Sequence, residues 1–203
     1  LSALPPLGQE QSYGRLEVPP PDDPSYRRWL PAPSTFEHDR SHYTFLYTRP
    51  SKIDGGEPEE FIFRQAATKT RVDYFGIGYR DFDFLLDVDF GTVIEADFEP
   101  SAVTATLTDS GYDPEGSYGE YELFARSDVP RRAAVGDGAI VWSSSRVHNA
   151  PDVRALIDAE SGGRRRYHEG SDSFSRLTEA IGASRMIIGG PEFGDPTDRA
   201  ELG

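Results

Sequence analysis

A Gly-Asp-Gly tripeptide at positions 136–138 joins two apolar runs, and this pattern constrains the fold more than any other stretch of the chain. The runs are Ala-Ala-Val at 133–135 and Ala-Ile-Val-Trp at 139–142. Glycines on both sides of Asp137 supply the positive φ angles that tight hairpin turns require. The sequence therefore predicts a β-hairpin. Two helical patterns and a short apolar run follow it between Arg131 and Gly190.

Three segments carry the signals of helices. Residues 100–110, 151–160 and 172–181 each have apolar side chains three or four positions apart and a glycine close behind the last turn. Pro100 stands in a first turn, where its missing N–H costs nothing. In the last segment, Phe174, Leu177 and Ile181 form the apolar stripe.

Runs of β-branched and aromatic residues predict strands at 43–48, 92–98, 118–126, 139–144 and 185–188. Residues 57–67 and 81–88 favour helices, with strands as the alternative, and residues 112–117 form a turn-rich connection. These elements predict an α+β domain with one largely antiparallel sheet and helices packed on one face. The order strand, helix, helix, strand occurs at 43–98 and again at 139–188, which suggests two pseudo-repeated halves; a chance match of two mixed segments is the alternative.

The chain divides into three parts by composition. Residues 1–33 contain eight prolines and predict an extended N-terminal arm, 34–190 a single α+β domain, and 191–203 a polar tail. The arm has two interpretations. Its first four residues could be the remnant of an export signal, or Tyr26, Trp29 and Leu30 could hold the arm over the domain surface.

Acidic residues dominate the charge. Asp and Glu number 35 against 21 basic residues, so the net charge is −14, and only Lys52 and Lys69 are lysines. Such a charge repels anionic polymers and surfaces, which argues against nucleic-acid and phospholipid partners. This pattern resembles proteins of extreme halophiles, in which inorganic cations solvate the acidic surface; an acidic protein of a high-GC mesophile is the alternative.

Two absences in the sequence exclude further classes. No run approaches the ~18 uninterrupted apolar residues of a membrane span, so we expect no membrane span in this chain. The chain has no cysteine, which removes disulfides, thiolate nucleophiles and Cys-ligated metals.

Metal ligation has two candidates. His38 and His42 stand four apart, which on a helix would place both imidazoles on one face. Asp87 and Asp89 belong to the acidic run 81–99, and hard cations prefer carboxylate oxygens. The run lacks the spacing of a calcium-binding loop, so a solvated face is the favoured interpretation.

A serine run at 143–145 near His148 allows a hydrolase interpretation, because a serine beside a histidine can be an activated nucleophile. No G-x-S-x-G motif supports it. Arg164, Arg165 and Arg166 form the one basic cluster. It is a candidate anion or partner contact, and the alternative is local charge pairing with Glu160, Glu169 and Asp172.

Four segments together carry a resemblance. They are Gly-Tyr through Tyr-Glu-Leu-Phe at 111–124, the hairpin at 134–141, Val-Arg-Ala-Leu-Ile-Asp-Ala-Glu-Ser-Gly at 153–162 and Phe-Ser-Arg-Leu at 174–177. This succession resembles uncharacterised exported proteins of halophilic archaea over about half of the chain. The resemblance implies a habitat and an exported or cell-surface location, and it implies no mechanism.

These observations favour a non-enzymatic domain with a binding or scaffold role and no cofactor. A metal- or carboxylate-dependent hydrolase that uses the 38–42 region or the 81–99 run is the alternative. A third hypothesis is a homo-oligomer in which an apolar strand edge pairs with a copy of itself. The protein partner of a binding role is not indicated by any motif.

Overall fold

The computed structural model describes residues 24–36, 43–52, 72–182 and 184–190. The strands are β1 (Phe45–Thr48), β2 (Phe82–Val88), β3 (Gly91–Ala96), β4 (Asp113–Tyr118), β5 (Tyr121–Arg126), β6 (Arg131–Val135), β7 (Ala139–Ser144) and β8 (Met186–Gly189). The α-helices are α1 (Pro100–Asp109), α2 (Val153–Ser161), α3 (Tyr167–Gly170) and α4 (Asp172–Ile181). Short 3-10 turns occur at Ser25–Trp29, Pro33–Thr35, Pro50–Lys52 and Tyr79–Asp81.

All eight strands join one sheet in the order β4-β5-β6-β7-β3-β2-β1-β8. Every pair of neighbours is antiparallel. The predicted α+β class and antiparallel sheet are therefore confirmed. In the part of the chain that the structure describes, β4 and β8 are the two edges of the sheet.

The central strands are apolar at consecutive positions, so both faces of the sheet need a cover. On one face, strand residues such as Val93 and Val141 pack in a core with Leu156 of α2 and with the segment around Trp29. Phe174 of α4 packs against this core. On the other face, α1 packs in a second core that includes Trp142. Helices α2 and α4 thus share a face, whereas α1 covers the opposite one, so the prediction that the helices pack on one face is wrong for α1.

Strand β2 occupies residues 82–88 of the segment 81–88, for which the sequence favours a helix, and Asp81 belongs to the preceding 3-10 turn. The helix prediction is wrong and the alternative strand is confirmed. The register of β2 against β3 shifts between Phe82 and Phe84, which marks a β-bulge. Beyond this irregularity, Leu85 contributes to one core and its neighbours Phe84 and Leu86 to the other. Both faces of this part of the strand are buried, so apolar residues become consecutive and the alternation in the sequence ends.

This strand also removes the predicted internal repeat, because the first half no longer has the order strand, helix, helix, strand. The segment 57–67, the other predicted helix of that half, lies outside the described residues. Residues 112–117 were expected to be turn-rich, yet most of them belong to the edge strand β4. Its register shifts between Pro114 and Gly116, so proline and glycine lie where an edge tolerates them.

The proline-rich segment contributes to the core from Pro24 onward. Tyr26, Trp29 and Leu30 are fully buried in the same core as β1 and α2. The Trp29 Nε1–H donates a hydrogen bond of 2.6 Å to the Glu95 carboxylate on β3. These side chains lie within the core and not over the surface of the domain, because complete burial removes more apolar area from water and so stabilises the fold more.

Candidate functional site

One cavity, which we call the strand-end groove, lies beside the first turn of α2 and has a volume of about 650 Å³. Its lining comes mainly from β5, β6 and β7 and the start of α2, and it includes Arg126, Arg131, Arg132, Ser143, Asp152 and Arg154. The Ser143 side chain is almost completely buried. The groove therefore combines polar and apolar lining at one end of the sheet.

Carboxylates pair with most of the arginines of the strand-end groove. Arg126 donates two hydrogen bonds to Asp128, and Arg132 lies 3.2 Å from Glu115. Arg131 forms an ion pair with an aspartate that precedes β2. Arg154 lies instead over an aromatic ring of β4, at 4.8 Å from its centroid. These pairs offset the positive charge, so the groove has no strong preference for anions.

A second cavity, which we call the apolar groove, lies between α4 and β8 and has a volume of about 460 Å³. The lining residues are all uncharged: Tyr43, Phe45, Tyr167, Ser171, Ser173, Phe174, Leu177, Thr178, Ile181, Ile187, Ile188, Gly189 and Gly190. Charged residues make up 28% of the chain, so about four would be expected among thirteen lining residues at that frequency. The apolar groove is therefore set apart from the acidic surface around it.

Stacked aromatic rings hold α4 in place beside this groove. Ser171 caps the helix, because its hydroxyl accepts a hydrogen bond from the Phe174 N–H at 3.3 Å. The Phe174 ring stacks on Tyr167 with centroids 4.1 Å apart and meets Phe45 of β1 edge-on at 6.1 Å. On the other flank of the helix, Arg27 donates a 2.8 Å hydrogen bond to the hydroxyl of Ser175. The helix is thus fixed over the end of the sheet.

Apolar side chains remain exposed on both sides of strand β8. Leu177 is 57% exposed and Ile181 is 39% exposed, both on the flank of α4. Because side chains alternate along a strand, buried Ile187 points toward α4 and Ile188, at 58% exposure, points to the opposite face. We call these three exposed residues, the apolar groove and the outer side of β8 the apolar edge.

The sequence pattern predicted the stripe on α4 without showing that part of it is exposed. Phe174 is the member of that stripe that packs against the core. The most deeply buried side chain of the helix is Thr178, which lies outside the stripe. The Thr178 hydroxyl donates to the Phe174 carbonyl oxygen at 2.7 Å, which satisfies it inside the structure. Leu177 and Ile181 consequently lie on the flank of the helix. In the sequence, the signal for this surface is the spacing of four positions between Leu177 and Ile181, which places them on one side of a helix.

The two aspartates considered as metal ligands have hydrogen-bonding roles. Asp87 accepts a 2.7 Å hydrogen bond from the Thr92 hydroxyl, and the His148 Nε2 lies 3.3 Å from it. Asp89 accepts a 3.1 Å hydrogen bond from the Thr44 N–H and a second one from the Thr44 hydroxyl. The two carboxylates therefore have different hydrogen-bond partners.

His38 and His42 lie outside the described residues. Within the described ranges, no group of three His, Asp or Glu side chains is arranged to hold a metal ion. In the same ranges, no helix combines the length and the apolar character needed to cross a membrane.

His148 does not form a nucleophile pair with the serine run. It is 97% buried, and its Nδ1 accepts a 3.0 Å hydrogen bond from the backbone N–H of Ser144. The proton of the neutral ring therefore sits on Nε2, which faces Asp87 and Thr92. The ring joins β2, β3 and β7 and has no free nitrogen for a serine hydroxyl.

The arginine cluster is engaged around α2 and α3. Arg166 donates to two backbone carbonyls of the last turn of α2, at 2.8 and 2.7 Å. Arg165 donates to a backbone carbonyl of α3 at 2.6 Å. Arg164 lies 3.7 Å from Asp158 and over the ring of Phe36. The bonds of Arg166 satisfy free carbonyls at the end of α2. The predicted contact of this cluster with an anion or a partner stays a prediction.

Glu95 is an acidic residue whose side chain is largely buried. Burial raises the pKa of its carboxyl above the ordinary value of 4.5, although hydrogen bonds from Trp29 and Arg28 act in the opposite direction. A raised carboxyl pKa is one mark of catalytic acids. Here the carboxylate joins the N-terminal segment to β3, and both donors come from that segment. Its role in the structure is therefore a tether.

Comparisons with protein-family models, with curated proteins and with solved structures gave no match for this chain.

Proposed function

We propose that this chain is a binding domain that holds an extended apolar segment along its apolar edge, where the segment adds a strand to β8. The observation that carries the proposal is an uncharged cavity of about 460 Å³ beside an edge strand, in a chain with a net charge of −14. Exposed apolar patches rimmed by polar residues mark sites of protein association.

Strand addition suits this edge because it uses two kinds of contact at once. Backbone N–H and C=O groups on the outer side of an edge strand pair with the incoming segment, and alternate side chains enter the neighbouring pocket. The floor and wall of the apolar groove offer Ile187, Leu177 and Ile181 to those side chains. The partner is thus a chain with apolar residues at every second position.

Binding fits the described residues better than the hydrolase alternative. A nucleophile needs a base within hydrogen-bond reach, and both ring nitrogens of His148 are directed at other groups. In the strand-end groove, Glu115 pairs with Arg132, and Asp152 accepts a hydrogen bond from the Ala155 N–H, so both carboxylates have other partners. An exported or cell-surface location in a halophilic organism remains part of this proposal, supported by the acidic composition and by the resemblance described above.

Hydrogen exchange with a designed peptide tests the function. The probe is an eight-residue peptide of alternating valine and threonine, and the control peptide has proline at its two central positions, where it cannot donate hydrogen bonds. We expect the probe to slow amide exchange at residues 184–190 and the control peptide to leave it unchanged. Protein dilute enough to be monomeric in sizing keeps the edge free for the probe.

A matched pair of protein variants locates the site. Leu177→Lys should weaken binding of the probe by at least about tenfold, since it places a charge in the apolar groove. Tyr74→Lys changes a side chain that is 70% exposed elsewhere and should bind normally. Equal binding by the two variants, or no protection by the probe, would contradict the proposal.

A further inference from the structure

We infer that the occupant of the apolar edge is a second copy of this chain, paired through β8 across a two-fold axis. The inference rests on the proposed function and names its partner. It predicts a dimer in which two eight-stranded antiparallel sheets continue into one another.

The two edges of the sheet differ in how they resist such pairing. Strand β4 carries Asp113, Pro114 and Glu115, and its register shifts at Gly116. Charges, proline and bulges are the devices by which natural sheets block edge-to-edge association. Strand β8 reads Met-Ile-Ile-Gly and has no charge, proline or bulge, and its four residues make it a short edge. Among the described strands, the β8 edge is therefore the one that lacks charge, proline and a bulge.

A two-fold pairing brings the exposed apolar side chains together on both faces. Two antiparallel strands are related by an axis perpendicular to the sheet, so both copies of α4 lie on the same face. Leu177 and Ile181 of one copy then approach their equivalents. On the opposite face, Ile188 approaches its own equivalent. Ile188 also borders the apolar groove along the edge strand, and a second copy covers it together with Leu177 and Ile181.

The spacing of the elements also fits. Helix α4 lies over β1 and β8, because Phe174 contacts Phe45 of β1 and the apolar groove includes Ile187 of β8. Strands in a sheet are about 4.8 Å apart, so a helix over the junction of β1 and β8 comes to lie about 10 Å from its copy. Packed helices are about 8 to 10 Å apart.

The charge decides how the dimer responds to salt. Each copy has a net charge of −14, so two copies repel each other, and the uncharged apolar edge is where they can approach. The range of that repulsion falls from about 10 Å at 0.1 M ionic strength to about 3 Å at 1 M. Self-association therefore strengthens as salt is added, opposite to the behaviour of an interface held by ion pairs.

Light scattering during size-exclusion chromatography of the full chain tests this inference, in about 0.1 M and about 1 M NaCl. In the higher salt we expect twice the chain mass of 22.5 kDa. Leu177→Lys and Ile188→Lys, on opposite faces of the edge, should each give the single-chain mass with an unchanged circular dichroism spectrum. Tyr74→Lys, the matched control, should remain dimeric.

Two results would overturn the inference: a wild-type chain of single mass at every concentration and salt, or a dimer that survives both edge substitutions. A single-mass chain that still binds the valine–threonine probe would refute the second copy and leave the proposed function standing. A single-mass chain that fails to bind the probe would refute both. Pairing through the undescribed terminal residues would appear as a dimer that neither Lys substitution disrupts.

Discussion

Replacing Trp29 by alanine tests whether the proline-rich segment is part of the folded core. The side chain is fully buried, and its indole N–H donates to Glu95. Removing a buried tryptophan costs about 3 to 5 kcal/mol. The lost hydrogen bond adds about 1 kcal/mol. Since domains are stable by about 5 to 15 kcal/mol, Trp29→Ala should remove a large part of the free energy of unfolding.

Urea unfolding measures this loss directly. With a slope of about 2 kcal/mol per molar urea, a loss of about 4 kcal/mol lowers the midpoint by about 2 M. The chain has two tryptophans, so in the variant the fluorescence of buried Trp142 reports unfolding alone. Trp29→Phe keeps a ring in the core and loses the N–H donor, and we expect it to cost less than half as much.

A loss below about 1 kcal/mol in Trp29→Ala would refute the reasoning, because that is the range of surface substitutions. It would mean that residues 24–36 are not held by the core in solution. Tyr74→Ala, at a largely exposed aromatic position, is the control for a substitution that leaves no cavity.

Two further predictions concern buried polar groups. Burial raises the pKa of Glu95 above its unfolded value of 4.5, so this group favours the folded state at low pH and that contribution is lost as pH rises through the folded pKa. Glutamine does not titrate, so Glu95→Gln lacks this loss. Its free energy of unfolding should therefore rise relative to that of the wild type between about pH 4 and pH 8. If urea unfolding shows the same dependence on pH for both proteins, the prediction is contradicted. His148→Ala removes the acceptor of the Ser144 N–H and the Nε2 partner of Asp87, so it should cost about 2 to 4 kcal/mol in urea unfolding; a cost below about 1 kcal/mol would show that these groups find other partners.

The predicted elements that the structure confirms depend on local signals. The hairpin of β6 and β7 is confirmed and turns at Gly138, which has a φ of 70°. Gly136 does not have the predicted positive φ, and a Cβ there would collide with the ring of Tyr121. Helix α1 begins at Pro100 and helix α2 ends at Gly162, whose φ of 80° is left-handed. Helix α4 ends before Gly182. Turn and cap chemistry involves only a few neighbouring residues, so it can be read without knowledge of the fold.

The composition also predicted the absence of a long apolar helix, and the described residues contain none. The candidate site was less accessible from sequence. The sequence predicts the self-pairing of an apolar strand edge only as a general hypothesis. It does not indicate which strand or which helix residues form that edge. The arginine cluster was visible as a motif, yet its bonds to the end of α2 depend on the chain returning there.

What the sequence determined by itself was therefore the set of local turns, caps and most strands, together with the acidic surface and the α+β class. Tertiary structure decided the rest: that residues 82–88 form a strand, that Trp29 enters the core, and that β8 lies beside β1 at an edge of the described sheet. These outcomes depend on pairing between residues more than 30 positions apart, such as Phe45 with Val88 and with Gly189. No local propensity encodes such pairing, because the burial and hydrogen bonds that reward it exist only once the distant strands have met.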